Sequence, residues 1–192
     1  LYYSYIHGNK PTSKIFNTDK IAKYFALLDL TKTYHGTVWF NMRFYYNPVI
    51  SRLEPIGYDG YTDGGAWDNY KRPIFGFVRY GDNITKKNEL DCTLYRLFDD
   101  KIFLDKYISY LQKYSSEDFI NSFMKSVNKD QQYYENILKE EFPEYNYDYN
   151  YLKNNAKAIR AELPKFIKYV NNNPDFAKFA FDVVGHKNNY SQ

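Results

Sequence analysis

The chain has 192 residues, enough for one domain with a hydrophobic core of ordinary size, or at most one domain plus an appendage. Apolar residues make up 44% of it, and 23 Tyr and 15 Phe are far above ordinary usage, which fits a globular chain with an aromatic-rich core. The formal net charge is only +3, with Lys, Asp and Glu interspersed, so no basic stripe marks a nucleic-acid surface.

In chain order, the opening LYYSYIHGNKP is Tyr-rich and reads as a strand; it lacks an initiator Met, and a fragment of a longer polypeptide is expected. TDKIAKYFALLDL follows, with Ile21, Phe25 and Leu28 at helical spacing and Thr18 or Asp19 placed as N-cap. TKTYHGTVW breaks that period at Gly36 and predicts an irregular loop. NMRFYY and RLEPIGY are β-prone runs joined by the Asn-Pro turn signal of NPVIS and ended by Asp59-Gly60, which predicts a hairpin over 42–57. Pro55 cannot donate to a ladder, so its strand should lie at an edge or end there. YTDGGAWDNYKRP reads as a flexible excursion, and IFGFVRYGDNITKKN is ambiguous between strand and loop.

From Asp91 the chain turns helical. Cys92 stands alone, cannot form an intramolecular disulfide and has no zinc-ligand neighbours, so a buried thiol is expected. CTLYRLFDDKIFLDKYISYLQKY puts Leu104, Tyr107, Ile108 and Leu111 on one face. The next helix begins with Ser115 and Asp118 in capping-box spacing and ends before Pro143, with an interruption possible along its length. YLKNNAKAIRAELPKFIKYVNNN repeats Leu152, Ala156, Ile159, Leu163, Phe166 and Val170, with a kink or break expected at Pro164. A short helix over 174–182 closes the chain. No apolar run approaches the roughly 20 residues that cross a bilayer, and nothing resembles a signal peptide. The fold class expected is α+β, predominantly helical, in a single domain over 1–192, with the hairpin at the candidate site.

Phosphoryl transfer from a nucleotide uses a hard dication that takes oxygen ligands, commonly a carboxylate and an amide. In protein kinases these ligands flank a pair of short strands: an Asn ends the catalytic loop, and the metal-binding Asp opens an Asp-x-Gly turn. Here Asn41 ends the loop and Asp59 follows the hairpin, so the hairpin can bring both to one Mg2+ or Mn2+ ion. His35 in the loop is the first candidate for a base or orienting group, and Asp29 on the helix is the alternative. Arg43 and Lys71 are candidates to screen the phosphate charge of a bound nucleotide. Taken singly, Asn41 and Asp59-Gly60 also suit ordinary turn chemistry.

The stretch AKYFALLDLTKTYHGTVWFNMRFYYNPVISRLEPIGYDG resembles the core of the CotH kinase family, atypical kinases related to bacterial spore-coat protein H. The shared pattern is a helix, a polar loop ending in Asn, a Tyr-rich strand, an Asn-Pro turn and a second strand that runs into Ile-Pro-Trp-Asp or similar. It is strongest over residues 18–60. The resemblance implies a kinase C-lobe-like fold and ATP-dependent transfer to a Ser, Thr or Tyr hydroxyl of a protein. It also implies Asn41 and Asp59 at the metal-ligand positions and an exported or surface-associated protein. Two departures stand out. The family loop commonly carries an Asp in a Trp-Asp context where this chain has Tyr34-His35. A kinase also needs an upstream lobe with a Lys for the α and β phosphates, and the residues before Thr18 leave no room for one. The chain is therefore expected to be the metal-binding part of a longer domain. In that setting Trp67, Asp63 and Asp68, following Asp59, are expected to meet substrate. The alternative reading is a non-catalytic cell-surface module whose aromatic loops bind a glycan or a protein partner.

Overall fold

The computed structural model describes residues 2–37, 41–60, 74 and 96–172. The described elements are α1 (Tyr2–Ile6), α2 (Thr12–Ile15), α3 (Thr18–Thr31), a 3-10 turn (Tyr34–Thr37), β1 (Arg43–Asn47), β2 (Arg52–Ile56), α4 (Lys101–Ser115), α5 (Glu117–Glu141) and α6 (Tyr151–Asn172). Among the described residues the fold is thus mostly helical, with a two-stranded antiparallel hairpin. No described helix is long and apolar enough to cross a membrane.

The core forms where α3, α4 and α6 pack on one another. The periodic residues of α3, Ile21, Phe25 and Leu28, are buried, as are Leu104, Tyr107 and Leu111 of α4 and Ala156, Ile159, Leu163 and Phe166 of α6. Their rings interlock edge to face: Phe25 on Phe103 at 6.2 Å between centroids, Phe98 on Tyr107 at 5.3 Å and Tyr107 on Phe166 at 6.2 Å. Burying one such side chain stabilises the fold by roughly 1.5–3 kcal/mol, and the edge-to-face geometry adds to that.

The hairpin lies against the start of α3. Arg43 pairs with Ile56 and Asn47 with Arg52, leaving Pro48 to Ser51 as the connecting loop. Asn47 shapes that loop, its Oδ1 accepting the Val49 N–H at 3.0 Å. A parallel bridge between Phe16 and Leu53, with the Asn17 N–H donating to the Leu53 carbonyl at 2.8 Å, fixes β2 to the segment that enters α3. Buried Glu54 completes the joint, accepting from Asn17 Nδ2 at 3.0 Å, Asn47 Nδ2 at 3.1 Å and the Lys20 ammonium. These donors hold the Glu54 carboxyl below its ordinary range, the Lys20 contact first among them.

Several local expectations need correction. The opening Tyr-rich stretch is a short helix, because Tyr5 is buried edge-on against Phe16 at 5.0 Å. The N-cap of α3 is Asn17, whose side chain accepts the Lys20 N–H at 3.3 Å; Thr18 is the first helical residue. The cap of α5 is Ser116 rather than Ser115, and α5 runs unbroken for 25 residues. Helix α6 passes through Pro164 without a break. Leu163 and Phe166 on either side of it are buried in the core, and that packing offsets the lost hydrogen bond. The excursion over 61–73, the ambiguous stretch over 74–88 apart from Ile74, Cys92 and the helix over 174–182 lie outside the described residues.

Candidate functional site

Helix α3 ends at Lys32, a non-glycine residue in the left-handed region (φ 56°) that turns the chain out of the helix. The last carbonyls of α3 are met from α6: Asn155 Nδ2 donates to the Leu30 carbonyl at 2.9 Å and the Tyr151 hydroxyl to the Thr31 carbonyl at 3.0 Å. The 3-10 turn carrying Tyr34 and His35 follows at once. Its anchor is Asp29, whose side chain is fully buried. Asp29 Oδ1 accepts the Tyr34 hydroxyl at 2.6 Å and Oδ2 accepts the hydroxyl of Tyr107 from α4. Burial, followed by the Asp29 charge, pushes the Tyr34 hydroxyl well above its ordinary pKa, so it stays protonated and donates. Thr37 Oγ1 closes the turn on the Tyr34 carbonyl at 2.7 Å.

Gly36 sits where the turn presses on the far end of the hairpin. A Cβ there would lie 2.9 Å from the Tyr58 carbonyl and 3.0 Å from the Tyr24 hydroxyl, so a side chain would push the turn away from residues 58–60. On the opposite side Asp59 adopts the left-handed conformation (φ 49°), which Asp tolerates better than most residues.

These constraints bring three of the expected residues together. Asn41 Nδ2 donates to Asp59 Oδ2 at 2.9 Å and to the His35 carbonyl at 3.2 Å. His35 Nε2 lies 3.4 Å from the same Asp59 oxygen. Asn41 is only 5% exposed, whereas the side chains of His35 and Asp59 are 16% and 42% exposed, so the cluster has a buried floor and an open mouth. Arg43 is beside it, its guanidinium 5.1 Å from the centre of the Tyr58 ring and its Nη1 on the Met42 carbonyl at 3.2 Å. Asp29 is not hydrogen-bonded within the cluster as described; it lies in the interior and is linked to the turn through the Tyr34 hydroxyl. Lys71, Trp67, Asp63 and Asp68 lie outside the described residues. Tyr34 and Gly36 support the site, and Tyr107 fixes the far side of Asp29; none of the three was given a role at the site from sequence. Gly36, alone in the loop, carried a signal, whereas nothing near Tyr107 tied it to residues so far away in the chain.

The donor set suits a hard dication in part. Asn41 and Asp59 supply an amide and a carboxylate within hydrogen-bond distance of each other, and Mg2+ commonly takes one or two carboxylates, filling the rest of its shell with phosphate oxygens and water. Asn41 presents Nδ2 to Asp59, so offering Oδ1 to a cation takes a half-turn of the amide. Among the described residues there is no group of three His, Cys, Asp or Glu side chains placed to hold a metal ion. Comparison with family models, with curated proteins and with solved structures finds no match.

Proposed function

We propose that the His35, Asn41 and Asp59 cluster is the metal and phosphate end of a phosphoryl-transfer site, in a kinase C-lobe-like domain of the CotH type. The observation that carries this reading is the hydrogen bond between Asn41 and Asp59, which join across the hairpin from positions 18 apart in sequence. The resemblance over residues 18–60 supports it, since it assigns the metal to the same two residues. Asp59 and Asn41 would hold a Mg2+ or Mn2+ ion, whose positive charge would offset that of the ATP phosphates during transfer to a protein hydroxyl.

The chain's own residues then divide the work. Asp59 supplies the negative charge and Asn41 a neutral oxygen. The left-handed turn at Asp59 and the contact at Gly36 hold both in place before ligand arrives, which lowers the reorganisation needed on binding. Arg43, whose guanidinium lies over the ring of Tyr58, the neighbour of Asp59 in sequence, is in this reading the group that meets phosphate charge. In this reading Lys71 is a second phosphate-screening group, and Trp67, Asp63 and Asp68 meet the acceptor; all four are assigned by sequence order alone. An exported or surface location belongs to the same proposal.

The test is a thermal melt of the chain with ATP and Mg2+ or Mn2+ together. A raised midpoint that Asp59→Ala abolishes supports the reading, and an unchanged midpoint at millimolar metal and ATP removes its basis. A second reading, a non-catalytic surface module, is favoured by the row of exposed apolar side chains on and beside the hairpin: Tyr45, Val49 at 90% exposure, Ile50, Ile56 and Tyr58. It expects Tyr45→Ser to lose a glycan or peptide ligand that Asp59→Ala retains.

A further inference from the structure

Helix α5 is 25 residues long, about 37 Å at 1.5 Å per residue, and its first turns meet the core. Ile120 is buried, Phe119 and Met124 pack beside the core, and Arg160 of α6 reaches Glu117 at 3.2 Å. The other end is built differently. Buried Glu135 accepts from Lys139 at 2.7 Å and from the Tyr149 hydroxyl, which ties the segment 143–149 back onto the helix. Tyr134, Leu138 and Phe142 stand at i, i+4 and i+8 in one row that ends at the C-cap, with Ile137 beside it. All four are exposed, Tyr134 at 61% and Phe142 at 56%. An apolar row of this kind with a polar rim marks an interaction surface.

The rim is acidic. Asp130, Glu140, Glu141, Glu144 and Asp148 are exposed, and residues 130–149 hold six carboxylates and one ammonium, a net charge of −5 in a chain whose total is +3. That ammonium, Lys139, is engaged by Glu135. The charge decides among occupants. Anionic lipid headgroups and a nucleic-acid backbone are repelled by these carboxylates. A second copy docked through the same face sets the carboxylates against themselves. A cationic partner gains from each of them.

We propose that the C-terminal half of α5, with the segment 143–149 tied to it, docks a basic amphipathic helix of a partner protein. The apolar row of that helix seats on Tyr134, Ile137, Leu138 and Phe142, and its flanking Lys or Arg side chains pair with the acidic rim. The rim charges steer and orient the encounter, and the apolar row holds the complex. None of the residues of the His35 cluster takes part.

The experiment titrates the whole chain, labelled with nitrogen-15, with a synthetic Leu-Lys peptide of about five helical turns whose Leu residues repeat at helical spacing, and follows it by two-dimensional NMR. The amides of 130–149 are expected to shift. Affinity is expected to fall about tenfold between about 0.01 M and 0.15 M salt, as the screening length drops from roughly 30 Å to 8 Å. Tyr134→Ser, a change at an exposed position, is expected to weaken binding at least about tenfold. Glu140→Lys, Glu141→Lys and Glu144→Lys together are expected to transfer the preference to the same peptide with Glu in place of Lys. Equal affinity for a scrambled peptide of the same composition, shifts centred outside 130–149, or no binding at millimolar peptide overturns the proposal. So does a dimer of the free chain that Tyr134→Ser disrupts, or binding to phosphatidylglycerol vesicles that the same variant loses.

Discussion

Asp29 accepts two tyrosine hydrogen bonds that can be removed separately, and the one from Tyr34 leads to the site. Tyr34→Phe deletes the hydroxyl that ties the 3-10 turn to Asp29 Oδ1, and Tyr107→Phe deletes the one that ties α4 to Oδ2. Each change keeps the ring in place and removes one hydrogen bond to a buried carboxylate, a loss of about 1.5–3 kcal/mol. For a chain of this size each kcal/mol shifts the melting midpoint by about 2–4 °C, so each variant should melt about 3–12 °C lower. The stability cost should be similar; the effect on the site should not. Tyr34 immediately precedes His35, whose carbonyl accepts from Asn41, so freeing Tyr34 loosens the floor on which Asn41 meets Asp59. The Asn41 side-chain amide resonances, read by two-dimensional NMR in both variants, should move in Tyr34→Phe and stay in Tyr107→Phe. Unmoved resonances in Tyr34→Phe, or equal movement in both, would refute the reasoning that the turn is held by Asp29 on behalf of the site.

Other outcomes follow from the same contacts. Gly36→Ala places a Cβ against the Tyr58 carbonyl and should cost about 1–3 kcal/mol in urea unfolding, as overpacked sites do; a neutral result would mean the turn yields freely. Glu54→Ala removes the acceptor shared by Asn17, Asn47 and Lys20, and should raise hydrogen exchange at the hairpin amides more than in α4. Asp19 is held at a pKa of about 2, below its ordinary 3.8, first by the hydrogen bond from Lys23 and then by that from Tyr110. Because the folded pKa is depressed, its contribution is present above pH 3.8 and is lost as pH falls toward 2. Acid unfolding of Asp19→Asn should show a smaller loss of stability across that window than wild type.

What could be read in advance follows from which interactions are local. The core face of α3 was legible because Ile21, Phe25 and Leu28 repeat at the helical period, and the hairpin because Asn-Pro and Asp-Gly mark its two turns. The meeting of Asn41 with Asp59 was legible for the same reason: a short antiparallel pair brings back together whatever flanks it. The partner of Asp29 on α4 was not, since Tyr107 looks like any other core aromatic of its helix and only tertiary packing brings its hydroxyl to the carboxylate. The opening stretch misled because its tyrosines suit a strand by propensity, while burial of Tyr5 against Phe16 decides for a helix turn. At Pro164 the break is absent, the local cost of the residue being met by long-range packing on both sides. The caps given to α3 by Tyr151 and Asn155 had no signal near α3 at all.

The most direct test of the central claim is a crystal of the chain grown with Mn2+ and ATP, with anomalous scattering measured for manganese. The account predicts a manganese peak about 2.0–2.3 Å from a carboxylate oxygen of Asp59 and within coordination distance of Asn41 Oδ1, with phosphate oxygens completing the shell. A peak elsewhere on the molecule, or none at saturating Mn2+ and ATP, would contradict it.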